Sequence, residues 1–209
     1  MAEEARGCAM WFTGVPASGK STVAKVVEEK LRARDIKVEN LDADEWRAKM
    51  SPDLKYTPAD MDLNTKRLAY VGKLISRHGV CVIIAAVAPM QEFRDRARDW
   101  IENFVEVFVD CPTDVCKQRD PKGLYAKGDK GIVNDIPGVH VPYEAPKNPE
   151  VHLRTDKFTA EQAADQVISR LEELSYIPVT YGIMDDDEDV YSEEEEEKIK
   201  ERLRGLGYL

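Results

Sequence analysis

Short, almost wholly apolar runs alternate with amphipathic stretches through most of this 209-residue chain. Cys8-Ala9-Met10-Trp11-Phe12 predicts a buried strand over about 8–13, and Val38 to Leu41 and Phe104 to Val109 predict two more. Val80 to Ala86 is apolar throughout, as a central strand covered on both faces would be. Between them, Val23, Val26, Val27 and Leu31 recur at helical spacing within about 20–34. Leu63, Leu68, Val71, Leu74 and Ile75 predict the inner face of a helix over about 59–78, with Gly79 as its stop. Residues 91–103 read as a further helix, and Thr113 as the N-cap of another that runs to Gln118. A short strand at 151–153 and a helix over about 159–174 follow. Strand–helix alternation of this kind predicts an α/β fold: three layers, α/β/α, around a mostly parallel sheet.

Two segments break the pattern. Periodicity fails from about 120 to 149, where glycine, proline and Lys122, Lys127 and Lys130 crowd together. A loop of that length inside a compact domain is expected to be a functional lid. After Pro178, acidic blocks at 185–189 and 193–197 precede a weak apolar stripe of Ile199, Leu203 and Leu206. Ser192 with Glu195 matches a capping box, so a short helix over about 193–204 is expected there. The domain division that follows is 1–177 for the body, with its lid, and 178–209 for an acidic tail.

Charge changes the picture little. The chain carries a formal −10, and residues 185–209, with 11 acids and 4 bases, hold −7 of it. The body is therefore close to neutral and has no basic footprint for nucleic acid. No apolar run reaches membrane-spanning length, and the charged residues Glu3, Glu4 and Arg6 lead directly into the first strand. A cytoplasmic protein without a membrane partner is expected. Cys8, Cys81, Cys111 and Cys116 lack metal-ligand spacing and read as buried, reduced thiols.

The candidate chemistry starts at Gly14-Val15-Pro16-Ala17-Ser18-Gly19-Lys20-Ser21-Thr22. It fits the P-loop pattern G-x-x-x-x-G-K-[ST], and it sits between a predicted strand and a predicted helix, where backbone N–H groups and the positive helix end face an anion. Gly14, Ala17, Ser18, Gly19, Lys20, Ser21 and Thr22 are thus the expected nucleotide cradle. Lys20 would reach the β- and γ-phosphates, and the Ser21 hydroxyl would take a position on Mg²⁺. Asp42 and Asp44 follow the second strand, at the chemical end of such a sheet. Their spacing turns both carboxylates to one side if the strand continues. One would hold Mg²⁺ through water and the other would orient or accept an acceptor proton, with the assignment open. A turn-and-cap role for the pair is the alternative. Arg47 is placed to grip an anionic substrate, and Arg119 to stack on a base or pair with phosphate.

Together with Leu41-Asp42-Ala43-Asp44-x-x-Arg47, the Ala88-Pro89 exit, Arg119-Asp120-Pro121-Lys122-Gly123-Leu124-Tyr125, Pro142-Tyr143-Glu144-Ala145-Pro146-x-Asn148-Pro149-Glu150 and Asp156-Lys157, the loop resembles the adenylylsulfate (APS) kinase family over roughly residues 6–175. The resemblance implies an ATP- and Mg²⁺-dependent kinase. Such an enzyme moves the γ-phosphate to the 3′-hydroxyl of APS, giving 3′-phosphoadenylyl sulfate (PAPS) and ADP in sulfate activation. It implies catalytic roles for Lys20, Asp42 and Asp44, and acceptor contacts from Asp44, Arg47, Tyr56, Asn64, Lys122 and Leu124. Because family members are commonly dimers, it also implies a homodimeric partner.

This sequence departs from the family on the acceptor side. The family's Asp-Gly-Asp-Asn is Asp42-Ala43-Asp44-Glu45, and Tyr56 stands for a stacking phenylalanine. Met61 replaces an arginine, Asn134 a lid lysine, Ile136 a second stacking phenylalanine, and Ala88 a serine. Besides APS, two other readings are therefore kept: a kinase for another nucleotide conjugate such as a cytidine diphosphate derivative, and a nucleotide-binding module without turnover. The absence of an Asn/Thr-Lys-x-Asp segment argues against a GTPase.

Overall fold

The computed structural model describes residues 6–179; the expected tail helix and the acidic blocks lie outside that range. Among the described residues five strands form one sheet: β1 (Ala9–Thr13), β2 (Val38–Asp42), β3 (Cys81–Ala85), β4 (Phe104–Asp110) and β5 (Val151–Arg154). Their order is β2-β3-β1-β4-β5, with every pairing parallel. Parallel neighbours need crossover connections, so both faces are covered by helices and the central strands lose polar alternation. β1 and β3 are accordingly buried at every position.

One face packs against α1 (Lys20–Ala33) and α7 (Ala160–Glu173), with Val23, Val27, Leu31, Val167 and Leu171 filling the interface. The other packs against α3 (Pro58–Ser76) and α4 (Gln91–Trp100), around Trp11, Leu68, Ile84 and Phe93. α2 (Ala43–Met50) follows β2 without a gap, while α5 (Thr113–Arg119) and α6 (Leu124–Asp129) lead into the lid segment. The four cysteines are free and buried, as expected. Among the described residues no helix is long and apolar enough to cross a membrane.

Several local expectations are corrected. Thr113 is not an N-cap: Pro112 occupies that position, and its carbonyl accepts the first helical bond from Cys116 N at 3.0 Å. The inner face of α3 is rotated from the predicted stripe. Leu63 is 41% exposed, whereas Met61, Asn64, Thr65, Leu68, Ala69 and Gly72 are buried. Small and polar residues share that face with Met61 and Leu68, and Gly72 lies close to the sheet, where a Cβ would come within 2.9 Å of Ile84 Cδ1. The lid is not wholly irregular either. The Asp120 carboxylate accepts N–H bonds from Leu124 at 2.7 Å and Ala126 at 3.0 Å and so starts α6. Burial pushes its pKa up, but the backbone donors of Ala126, Tyr125 and Leu124 outweigh that and leave it lowered. α7, in contrast, begins where the pattern placed it, at a capping box of Thr159 and Gln162.

Candidate active site

The phosphate loop turns at the C-terminal end of β1, where glycine is required. Gly14 has φ 150°, and a Cβ there would come within 2.4 Å of Val109 O. Gly19, at φ 101°, caps α1, and Ala17 also takes a positive φ of 60°. Ala17, Gly19, Lys20, Ser21 and Thr22 line a cleft of about 1240 Å³ that continues past Asp42 to Asn64 and the lid. Gly14 and Ser18 are not on its wall but build the loop behind it. Ser18 is fully buried and its carbonyl accepts a bond from Thr155 Oγ1 at 2.6 Å. Lys20 is 9% exposed, and its ammonium donates to Gly14 O at 3.0 Å and Val15 O at 2.9 Å. The lysine thus lies along the loop whose phosphate it is expected to neutralise.

On the other side of the cleft the expected residues are present in a different relation. The strand ends at Asp42 and α2 starts at the next residue, so the condition for Asp42 and Asp44 to share a side, a continuing strand, is not met. Asp42 Oδ1 accepts from Glu45 N at 3.2 Å and caps that helix while also lining the cleft. The Asp44 side chain lies outside the described part of the structure. Arg47 and Tyr56 face each other: the guanidinium carbon is 4.3 Å from the ring centroid, and Arg47 Nη1 donates to Lys55 O at 2.7 Å. Asn64 is 7% exposed on the cleft wall, and its Oδ1 has no hydrogen-bond partner. A buried acceptor left open is costly unless something binds it. Met61, 9% exposed, forms the neighbouring apolar wall.

The lid side closes the cleft with Lys122, Leu124 and Asn134. Ile136 is only 1% exposed, packed with Cys111, Cys116 and Tyr125 in a small apolar cluster beneath the lid. Tyr125, itself buried, donates its hydroxyl to Pro16 O at 2.8 Å and ties α6 to the phosphate loop. Burial raises the Tyr125 phenol and pushes the Cys116 thiol up to about 12, so both stay protonated. Arg119 Nη2 donates to Thr155 O at 2.6 Å, beside the phosphate loop.

Sequence reasoning missed the frame behind these residues. Arg94, 1% exposed, bonds Glu106 Oε1 at 2.7 Å, Ala88 O at 2.6 Å and Glu144 O at 2.6 Å. Glu144 returns two bonds to the β3 exit: its N–H donates to Pro89 O at 2.8 Å, and its Oε2 accepts from Gln91 N at 2.7 Å. Thr13 Oγ1 donates to Val87 O at 2.6 Å, so the Tyr143 hydroxyl, 3.0 Å away, donates to Thr13. Ala88 is held at φ 40°, a strained value for a residue with a side chain. The Pro142–Glu150 segment therefore clamps the cleft wall at 87–91 rather than reaching into the cleft. The one visible signal was Glu106, a buried carboxylate flanked by Phe104, Val105, Val107, Phe108 and Val109 in β4.

A parallel α/β sheet with a lysine-bearing phosphate loop, a capping aspartate at the next strand end and an adjoining acceptor cleft defines a P-loop phosphotransferase fold. The adenylylsulphate kinase family matches residues 6–154, and the chain belongs to that family. It is 41% identical to the adenylyl-sulfate kinase of Halothermothrix orenii over 179 residues, which are 86% of this chain and 97% of that protein. It is 44% identical over 172 residues to a probable bifunctional SAT/APS kinase 2 of Sorangium cellulosum; they are 82% of this chain but only 30% of that longer protein. Among solved structures, the Mycobacterium tuberculosis APS kinase CysC in complex with AMPPNP and APS superposes with a TM-score of 0.77 at 40% identity. That match covers 80% of this chain and 99% of CysC.

Proposed function

We propose that the chain transfers the γ-phosphate of ATP to the 3′-hydroxyl of APS, giving PAPS and ADP. What supports this reading is one continuous cleft that runs from the phosphate loop to the unpartnered Oδ1 of Asn64. Phosphoryl transfer needs positioned phosphates and neutralised charge more than covalent chemistry. The loop N–H groups and Lys20 would hold the donor phosphates, Lys20 exchanging its loop carbonyls for phosphate oxygens. Arg119 would hold the donor base. Asn64 would orient the acceptor nucleoside, and Arg47 and Tyr56 would part to take its anionic and aromatic groups between them. Lys122 and Leu124 would close over the pair as the lid settles. Asp42 at the end of β2, or Asp44 in the first turn of α2, would orient the attacking hydroxyl and take its proton.

Ser21 and Asp42 both line the cleft, and a hydroxyl with a carboxylate is a hard oxygen set that fits Mg²⁺. When bound, the ion would draw off charge from the β- and γ-oxygens. The test is incubation of the purified chain with ATP, Mg²⁺ and APS, followed by mass spectrometry. PAPS is expected, and its absence ends the proposal. The apolar Met61 on the acceptor wall is the observation that favours the second reading, a cytidine or uridine diphosphate conjugate as acceptor. Faster turnover of such a conjugate than of APS would establish it.

A further inference from the structure

The donor end of the cleft carries an aromatic ring with no task in the reading above. Phe158 is 42% exposed and lines the cleft with Arg119, Thr155 and Ala160. It directly precedes Thr159, the N-cap of α7. An apolar residue at that position commonly packs as a staple on the fourth helical residue. Here that residue is Ala163, fully buried and too small to cover a phenyl ring, and Phe158 stays open.

Thr155 fixes this end relative to the phosphates. Its hydroxyl donates to Ser18 O at 2.6 Å, and a Cβ on Gly19 would lie 3.6 Å from its methyl group. Arg119 is bound to the Thr155 carbonyl, and Phe158 N donates to Arg154 O at 3.0 Å in the same turn. Hydrogen bonds of a guanidinium lie in its plane, which leaves its flat faces for stacking. A planar cation and a phenyl ring thus stand at one end of the cleft, both anchored through a turn bonded to the phosphate loop.

We infer that Phe158 is a wall of the donor-base site and holds the purine of the donor nucleotide together with Arg119. The inference rests on the proposal that a nucleoside triphosphate occupies the phosphate loop. Stacking uses the faces of the base and ignores its edge substituents, so Phe158 supports adenine and guanine alike.

The test is titration calorimetry of ADP, GDP and inorganic tripolyphosphate with the full chain and with Phe158→Ala and Phe158→Trp. In Phe158→Ala, ADP and GDP binding weakens about tenfold, while tripolyphosphate, which has no base, binds as before. Phe158→Trp restores both nucleotides. A staple role would lower the melting temperature of Phe158→Ala without a base-selective loss. Unchanged ADP affinity in Phe158→Ala overturns the inference, as does an equal loss for tripolyphosphate. If the unaltered chain binds neither ADP nor tripolyphosphate, the donor-site proposal fails with it.

Discussion

Arg94 on α4 and Glu106 on β4 form an ion pair closed to solvent, with side-chain exposures of 0% and 3% and an Nε–Oε1 distance of 2.7 Å. Buried charges tolerate each other only when geometry and further hydrogen bonds satisfy them. Here Arg94 spends its other donors on Ala88 O, Gln91 Oε1 and Glu144 O, while Arg98 reaches Glu106 Oε2 at 3.2 Å. The pair therefore joins a helix, a strand, the strained exit at Ala88 and the return limb of the lid.

Removing one partner leaves the other charged and buried. Arg94→Met is expected to lower stability by about 3 kcal/mol. Arg94→Met with Glu106→Leu should recover part of that loss, because no uncompensated charge remains. Urea denaturation of the two variants and the parent checks this, and a double variant no more stable than the single one would contradict it.

The same network has an acid limit. Burial pushes the Glu150 carboxyl up, but the Arg98 guanidinium, bonded at 2.6 and 2.9 Å, and the Glu106 N–H outweigh it, so the pKa lies below the ordinary carboxylate value. A folded pKa below the unfolded one gives stability that is complete above the unfolded value and is lost as pH falls through the folded one. The parent should therefore lose stability between about pH 5 and pH 3 more steeply than Glu150→Gln, which starts lower. Urea midpoints across that range measure the difference in slope.

Lys20 lines the cleft, and its ammonium donates to the loop carbonyls of Gly14 and Val15. Lys20→Ala should keep its fold by circular dichroism and lose phosphoryl transfer by about 10²- to 10³-fold, as removal of a charge-stabilising donor does elsewhere. Steady-state rates at saturating ATP are the measurement. Retention of more than a tenth of the activity would remove the lysine from the mechanism.

Asn64 offers the opposite balance of stability and function. Its Oδ1 is a buried acceptor without a hydrogen-bond partner, so Asn64→Leu removes an unfavourable group and should lower stability by less than about 1 kcal/mol, if at all. The acceptor KM should rise about tenfold, because one hydrogen bond of about 1.4 kcal/mol is lost. The ATP KM should stay the same. Equal effects on both substrates would place Asn64 in the framework instead.

The sheet was legible because its central strands are covered on both faces and so read as unbroken apolar runs such as Cys81–Ala85. The phosphate loop was legible because backbone geometry dictates its glycines. Side-chain partnerships across the chain were not. Arg94 sits among the charges of α4 and reads as a solvated helix residue, and only the fold brings Glu106 and Glu144 to it. A common side for Asp42 and Asp44 was expected only if the strand continued; α2 begins between them, and Asp42 takes the capping role kept as the alternative. The outward turn of Leu63 was hidden for a different reason: Met61, Leu68 and Ala69 share the buried face of α3 with Asn64, Thr65 and Gly72, and small and polar residues carry no apolar period.

The clamp made by Tyr143, Glu144 and Glu150 has a consequence for how kinship and chemistry separate in this fold. All three bond the frame behind the cleft, and none of them lines it. Arg47, Tyr56, Met61, Asn64 and Ile136, in contrast, line the cleft, so the acceptor side can be altered without touching that frame. A segment that identifies the family can therefore be silent about the acceptor, and substrate choice is left to the residues on the cleft wall.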